Sequence, residues 1–196
     1  MFTKIQLEIM KVFVSKIDKK FSIKQVVEIL NKQYPVIHRS IKPLISEGYL
    51  LKDDQDLISL NYRKNHSELT YAESSRKQDF LRKNKDIQIF HSDCLKTLKN
   101  DFFVSILFGS SVEKKGRDID LLFIFPEAEV EKNEKIIKNV SENSTLNLDI
   151  NVISVESAYE MLSKREQANV LNELLNKHII LFGGGNFYRI LNNARQ

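Results

Sequence analysis

Asp118 and Asp120 stand two residues apart, and Gly109-Ser110 precedes them across the seven-residue loop Ser111 to Arg117. Residues two apart on an extended strand project to one face. The spacing predicts two carboxylates side by side, with Ile119 and Leu121 turned the other way into a core. Carboxylates that close repel one another unless a cation lies between them, and hard divalent ions such as Mg²⁺ take oxygen ligands of this kind. Glycine at 109 permits close backbone approach, and the Ser110 hydroxyl with the amides that follow can hold phosphate oxygens. Asp149 adds a third carboxylate from LNLDINVISV, where Leu146, Leu148, Ile150 and Val152 alternate with Asn147, Asp149, Asn151 and Ile153. The alternation places Asp149 opposite in facing to Leu148 and Ile150. The chemistry such a set can do is two-metal phosphoryl transfer. Two carboxylates would bridge the ions that hold a triphosphate, and the third would bind the ion that activates an attacking hydroxyl.

These residues need two apolar strands to carry them, and Ile106-Leu107-Phe108 and Leu122 to Phe125 supply both. Ile87, Phe90, Cys94, Leu95 and Leu98 recur at helical spacing and predict a helix leading into the first strand. After the second strand, EAEVEKNEKIIKNVSEN can turn Val130, Ile136, Ile137 and Val140 towards the sheet. Glu156 to Asn176 reads as one or two helices, HIILF at 178–182 as a short strand, and NFYRILN as a closing helix. Gly183-Gly184-Gly185 lacks the spacing of a P-loop or dinucleotide fingerprint and reads as a flexible turn. His91 and Cys94 have no second ligand pair at zinc spacing, so both read as structural.

Towards the amino terminus, Ile5, Ile9, Met10, Val12 and Phe13 predict a first helix, and Ser22 predicts the N-cap of a second with Ile23, Val26, Val27 and Leu30 on one face. Tyr34-Pro35 predicts a turn, followed by a third helix through Ile37, Ile41, Leu44 and Ile45 that closes at Gly48. Pro43 falls inside that helix, where it costs a hydrogen bond. Tyr49-Leu50-Leu51 and Leu57 to Leu60 flank the polar turn Lys52 to Asp56 as a β-hairpin. Residues 64–84 are polar, with Leu69, Ala72, Phe80 and Leu81 as sparse apolar positions, and read as a connecting helix packed on one side.

Residues 1–100 hold 19 Lys/Arg against 12 Asp/Glu, and residues 101–196 hold 11 against 14. A basic half joined to a slightly acidic half suits a polyanion partner at one end and cations at the other, although a Lys-rich surface also serves as a solvated face. No segment approaches the roughly 20 consecutive apolar residues of a membrane span, and the amino terminus has no signal-peptide core, so no membrane partner and a cytoplasmic location are expected. The one cysteine, Cys94, agrees with a reducing compartment.

Gly109-Ser110, the Asp118-Ile119-Asp120 run and Asp149 in a later strand resemble the DNA polymerase β-like nucleotidyltransferase superfamily, most closely its minimal branch, over about residues 86–190. Three helices and a hairpin over about 3–62 resemble a winged helix-turn-helix, with HRSIKPLISEGYLLK as recognition helix and wing. The fold expected from the two resemblances is α/β (α+β). It comprises a winged helix over 1–63, a helical connector over 64–85, and a nucleotidyltransferase domain over 86–196 with a mixed sheet and flanking helices. The nucleotidyltransferase resemblance implies nucleotide binding by Gly109 and Ser110, with Ser111, Lys115 and Arg117 beside them. Lys114, Lys115 and Arg117 would neutralise phosphates or serve as a solvated loop. It also implies that Asp118, Asp120 and Asp149 are catalytic ligands of Mg²⁺ or Mn²⁺, moving a nucleoside monophosphate, AMP foremost, from a nucleoside triphosphate to a macromolecular acceptor. The winged-helix resemblance implies that His38, Arg39 and Lys42 face a DNA groove, the alternative being a surface for protein contacts or dimerisation. The competing expectation for the whole chain is a DNA-binding regulator or antitoxin-like module, with a nucleotide-sensing or inactive transferase fold that serves as sensor or partner surface. Small members of the resembled superfamily are paired with a toxin partner that they modify with AMP, so the nucleotidyltransferase resemblance also implies a partner protein that is modified.

Overall fold

The computed structural model describes residues 2–113 and 118–196. It is a mixed α+β structure with one four-stranded and one two-stranded sheet. Helix α1 (Lys4–Val14) opens in a capping box between Thr3 and Gln6, and α2 (Ile23–Leu30) repeats the device with Ser22 and Gln25. Each box satisfies amide donors that the first helical turn leaves unpaired. Helix α3 (Tyr34–Ser46) begins at the residue expected to lie in a turn, and carries Pro35 in its first turn and Pro43 in its interior. Proline fits the first turn because the N–H it lacks has no intrahelical partner there. Gly48, at φ +77°, follows the helix and leads into the antiparallel pair β1 (Leu50–Lys52) and β2 (Ile58–Leu60). Ile37, Ile41 and Leu44 of α3 are buried with Ile9, Phe13, Val26, Leu50 and Ile58.

Helix α4 (His66–Lys83) and α5 (Lys85–Thr97) precede the main sheet, whose strands are β3 (Val104–Phe108), β4 (Ile119–Phe125), β5 (Leu148–Ser154) and β6 (His178–Phe182). Their order across the sheet is β5-β4-β3-β6, with β3 antiparallel to both β4 and β6, and β4 parallel to β5. The parallel pair needs a crossover, and α6 (Val130–Glu142) provides it, burying Ile137 on one sheet face. After β5 come α7 (Val155–Ser163), α8 (Val170–Leu174) and, beyond β6, α9 (Gly184–Ala194).

The two faces of the sheet pack into different cores. Leu121, Phe123, Phe125, Leu107 and Ile179 join α5 and α6, whereas Leu122, Ile124, Ile106 and Ile180 join a cluster that also contains α1, α3, α7 and α9. Helix α4 contacts α1, α5, α9 and β6, more of the molecule than its sparse apolar positions predict, while Ser67, Tyr71, Gln78 and Arg82 leave one face exposed. Towards β6 and α9 it packs through Glu73, only 2% exposed, whose carboxylate joins Arg76 at 2.6 Å, His178 at 3.2 Å and the Tyr188 hydroxyl at 3.1 Å. Arg76 also donates to the His178 carbonyl at 2.7 Å. A polar side chain with all its partners supplied can be buried like an apolar one.

Gly183 is likewise more constrained than a flexible turn. At φ +75° it caps α9, and a Cβ there would stand 2.2 Å from the Phe103 carbonyl oxygen. Glycine is required so that β6 can leave the sheet against the start of β3.

Candidate active site

Strand β3 ends at Phe108, and Gly109 turns the chain at φ +74° into a 3₁₀ turn, Gly109–Val112. Phe108 lies opposite Asp120 on β4, and Asp120 lies beside Asp149 on β5. Register partners share a sheet face, so the turn and two carboxylates converge at one end of the sheet. The approach is tight: a Cβ on residue 109 would sit 2.2 Å from Asp120 Oδ2. Asp118 is exposed and immediately precedes β4. Ser110 is exposed, while Ser111 is buried and its hydroxyl donates to the Asp118 carbonyl at 2.7 Å, closing the loop on itself.

The charge environment of Asp120 follows from that placement. Burial first, and then the charges of Asp149 and Asp118, push its carboxyl above the usual carboxylate range. Three carboxylates of like charge at neighbouring positions are an oxygen donor set that a hard divalent cation would relieve, so the residues fit Mg²⁺ or Mn²⁺ by donor chemistry. As placed, Asp118 Oδ1 accepts a hydrogen bond from the Asn147 side-chain amide. Among the described residues, no group of three or more His, Cys, Asp and Glu side chains stands in metal-binding geometry.

Gly109, Ser110, Ser111, Asp118, Asp120 and Asp149 are therefore brought together, and Lys114, Lys115 and Arg117 lie outside the described residues. His38, Arg39 and Lys42 lie on α3, where Arg39 and Lys42 are exposed and His38 is half-buried, stacked on Tyr34 at 5.7 Å between ring centroids. His91 and Cys94 are buried in α5. Burial, with the Lys77 charge behind it, lowers His91 to about 4, and burial raises the Cys94 thiol to about 12, so neither is poised to react.

Asn147 was not singled out by the sequence pattern, although it stands two residues before Asp149 and so on the same side of the alternation. Lys177, whose Nζ lies 3.3 Å from Glu113 Oε2 at the end of the 3₁₀ turn, carried no local signal, because strand pairing brings it there. No helix among the described residues is long and apolar enough to cross a membrane. Comparison with family models, with curated proteins and with solved structures finds no match to this chain.

Proposed function

We propose that the chain is a metal-dependent nucleotidyltransferase of the DNA polymerase β-like type. It moves a nucleoside monophosphate, AMP foremost, from a nucleoside triphosphate to a hydroxyl of a macromolecular acceptor, the α–β phosphoanhydride breaking and pyrophosphate leaving. The observation that carries this reading is the convergence at one sheet end of the Gly109 turn with Asp120 and its register partner Asp149. Asp118, Asp120 and Asp149 would hold Mg²⁺ or Mn²⁺. When bound, the ion neutralises triphosphate charge and favours the deprotonated acceptor hydroxyl. The rest is the work of the chain. Gly109 lets Asp120 lie against the turn, Ser111 fixes the loop to the Asp118 carbonyl, and Asn147 orients the Asp118 carboxylate. Asp149, on the neighbouring strand, accepts the hydrogen bond of the incoming hydroxyl. Its exposed position supports that role.

Helices α1 to α3 with the β1–β2 hairpin form, in this reading, a winged helix that binds DNA. Support comes from α3, which has no acidic residue and presents Arg39 and Lys42 to solvent beside the Tyr34–His38 stack. Cations on such a helix hold phosphates and fix register on the duplex.

The test is incubation of wild type and Asp149→Ala with Mg²⁺, each nucleoside triphosphate labelled at the α-phosphate, and a lysate containing protein and RNA. Label should enter a macromolecule with wild type and be lost with Asp149→Ala. Persistent label in the variant removes Asp149 from catalysis, and a wild type that neither transfers label nor binds any nucleoside triphosphate refutes the assignment.

A further inference from the structure

Lys177 is the residue before β6, and its amide is anchored to the Leu174 carbonyl at 3.0 Å. Pairing of β6 with β3 joins Ile180 to Ile106, Ile179 to Leu107 and His178 to Phe108. Lys177 directly precedes this pairing and Gly109 directly follows it, so both adjoin the same end of the β3–β6 pair. Its Nζ reaches Glu113 Oε2 at 3.3 Å, and the Glu113 amide donates to the Ser110 carbonyl at 3.3 Å. The ion pair thus ties the start of β6 to the far end of the 3₁₀ turn. Both side chains are partly exposed, Lys177 by 39% and Glu113 by 57%, and an ion pair that open to solvent holds weakly. A lysine tethered at an anion-accepting turn by a single carboxylate can exchange that carboxylate for a polyphosphate, which offers more charge and more acceptor oxygens.

We propose that the Glu113–Lys177 pair is a latch on the turn, and that Lys177, released from Glu113, binds the terminal phosphates of the nucleoside triphosphate. The inference rests on the nucleotidyltransferase reading. It assigns Lys177 to substrate binding and Glu113 to competition with substrate for the same ammonium group.

Titration calorimetry of the full chain with α,β-methylene-ATP and Mg²⁺ tests it without requiring turnover. Lys177→Met should weaken binding by about 10- to 100-fold, and Lys177→Arg should restore most of it. Glu113→Gln should act in the opposite direction and tighten binding by up to about fivefold, as expected for loss of a weak competing pair. In the Glu113→Gln, Lys177→Met double variant that tightening should vanish, because it acts through Lys177. Lys135→Met, which removes an exposed charge on α6, should leave binding within about twofold of wild type. A purely structural ion pair would make Glu113→Gln neutral or weakening, and that result overturns the latch. Unchanged binding in Lys177→Met overturns it as well, and if Asp120→Asn still abolishes binding, the nucleotidyltransferase reading survives alone. A wild type that binds no nucleotide refutes both.

Discussion

Gly109 and Gly48 make a matched pair for testing whether the turn and the carboxylates form one site. Both have positive φ, +74° and +77°, so alanine at either place bears the same left-handed backbone cost of about 1–2 kcal/mol. For a chain of this length each kcal/mol shifts the melting temperature by about 2–4 °C, so this backbone cost alone should lower melting by roughly 2–8 °C in either variant. Their surroundings differ. An added Cβ at Gly48 meets nothing within 4 Å, whereas at Gly109 it would stand 2.2 Å from Asp120 Oδ2 and 3.2 Å from its Cγ. The contact is relieved only if Asp120 swings away or the turn moves, and a displacement of about 1 Å at a reacting centre costs on the order of 100-fold in rate. Gly109→Ala should therefore lose about 100-fold or more in Mg²⁺-dependent transfer of α-phosphate label, while Gly48→Ala stays within about twofold of wild type. Differential scanning fluorimetry confirms that both remain folded. Gly109→Ala with activity equal to that of Gly48→Ala would refute the claim that the turn sets the position of Asp120.

The Glu73 network gives a pH-resolved prediction. Burial raises the Glu73 carboxyl, but the charges of Arg76 and His178 and the hydrogen bonds from His178 and Tyr188 outweigh it and hold the carboxyl below its usual 4.5. A carboxyl lowered on folding stabilises fully above its unfolded pKa and loses that contribution as pH falls through its folded pKa. Glu73→Gln leaves the nearly buried Arg76 without its counter-charge and should cost about 3–5 kcal/mol at pH 7, or roughly 6–20 °C in melting temperature. The gap from wild type should be constant above pH 4.5 and close below it, and a gap that widens on acidification would reverse the assigned sign. For the amino-terminal helices, Arg39→Ala and Lys42→Ala should each weaken duplex DNA binding and reduce the slope of log affinity against log salt by about 0.9. A salt slope unchanged in both variants would point α3 to a protein partner instead.

Much of the candidate site is legible along the chain because its signals are local. Asp118-Ile119-Asp120, the glycine before it, and the alternation around Asp149 each sit within a few residues, and strand periodicity alone assigns the faces of Asp120 and Asp149, whereas Asp118 lies just outside β4. The N-cap at Ser22 and the left-handed Gly48 are local in the same sense. What the linear order does not carry is pairing between distant strands and helices. Nothing near Lys177 announces Glu113, and nothing in the polar run 64–84 announces that Glu73 meets His178 and Tyr188, more than a hundred residues further along. The sequence by itself narrowed which residues could serve as ligands, caps and turns, because those properties belong to side-chain type and short-range backbone geometry, although Tyr34-Pro35 reads as a turn and opens α3 instead. Only the tertiary structure decided that Asp120 and Asp149 are neighbours, that Asp120 lies against Gly109, and that Glu73 of α4 is buried against β6 and α9. Strand register and burial are settled by contacts that close over long stretches of chain, and no local pattern encodes the distance they span.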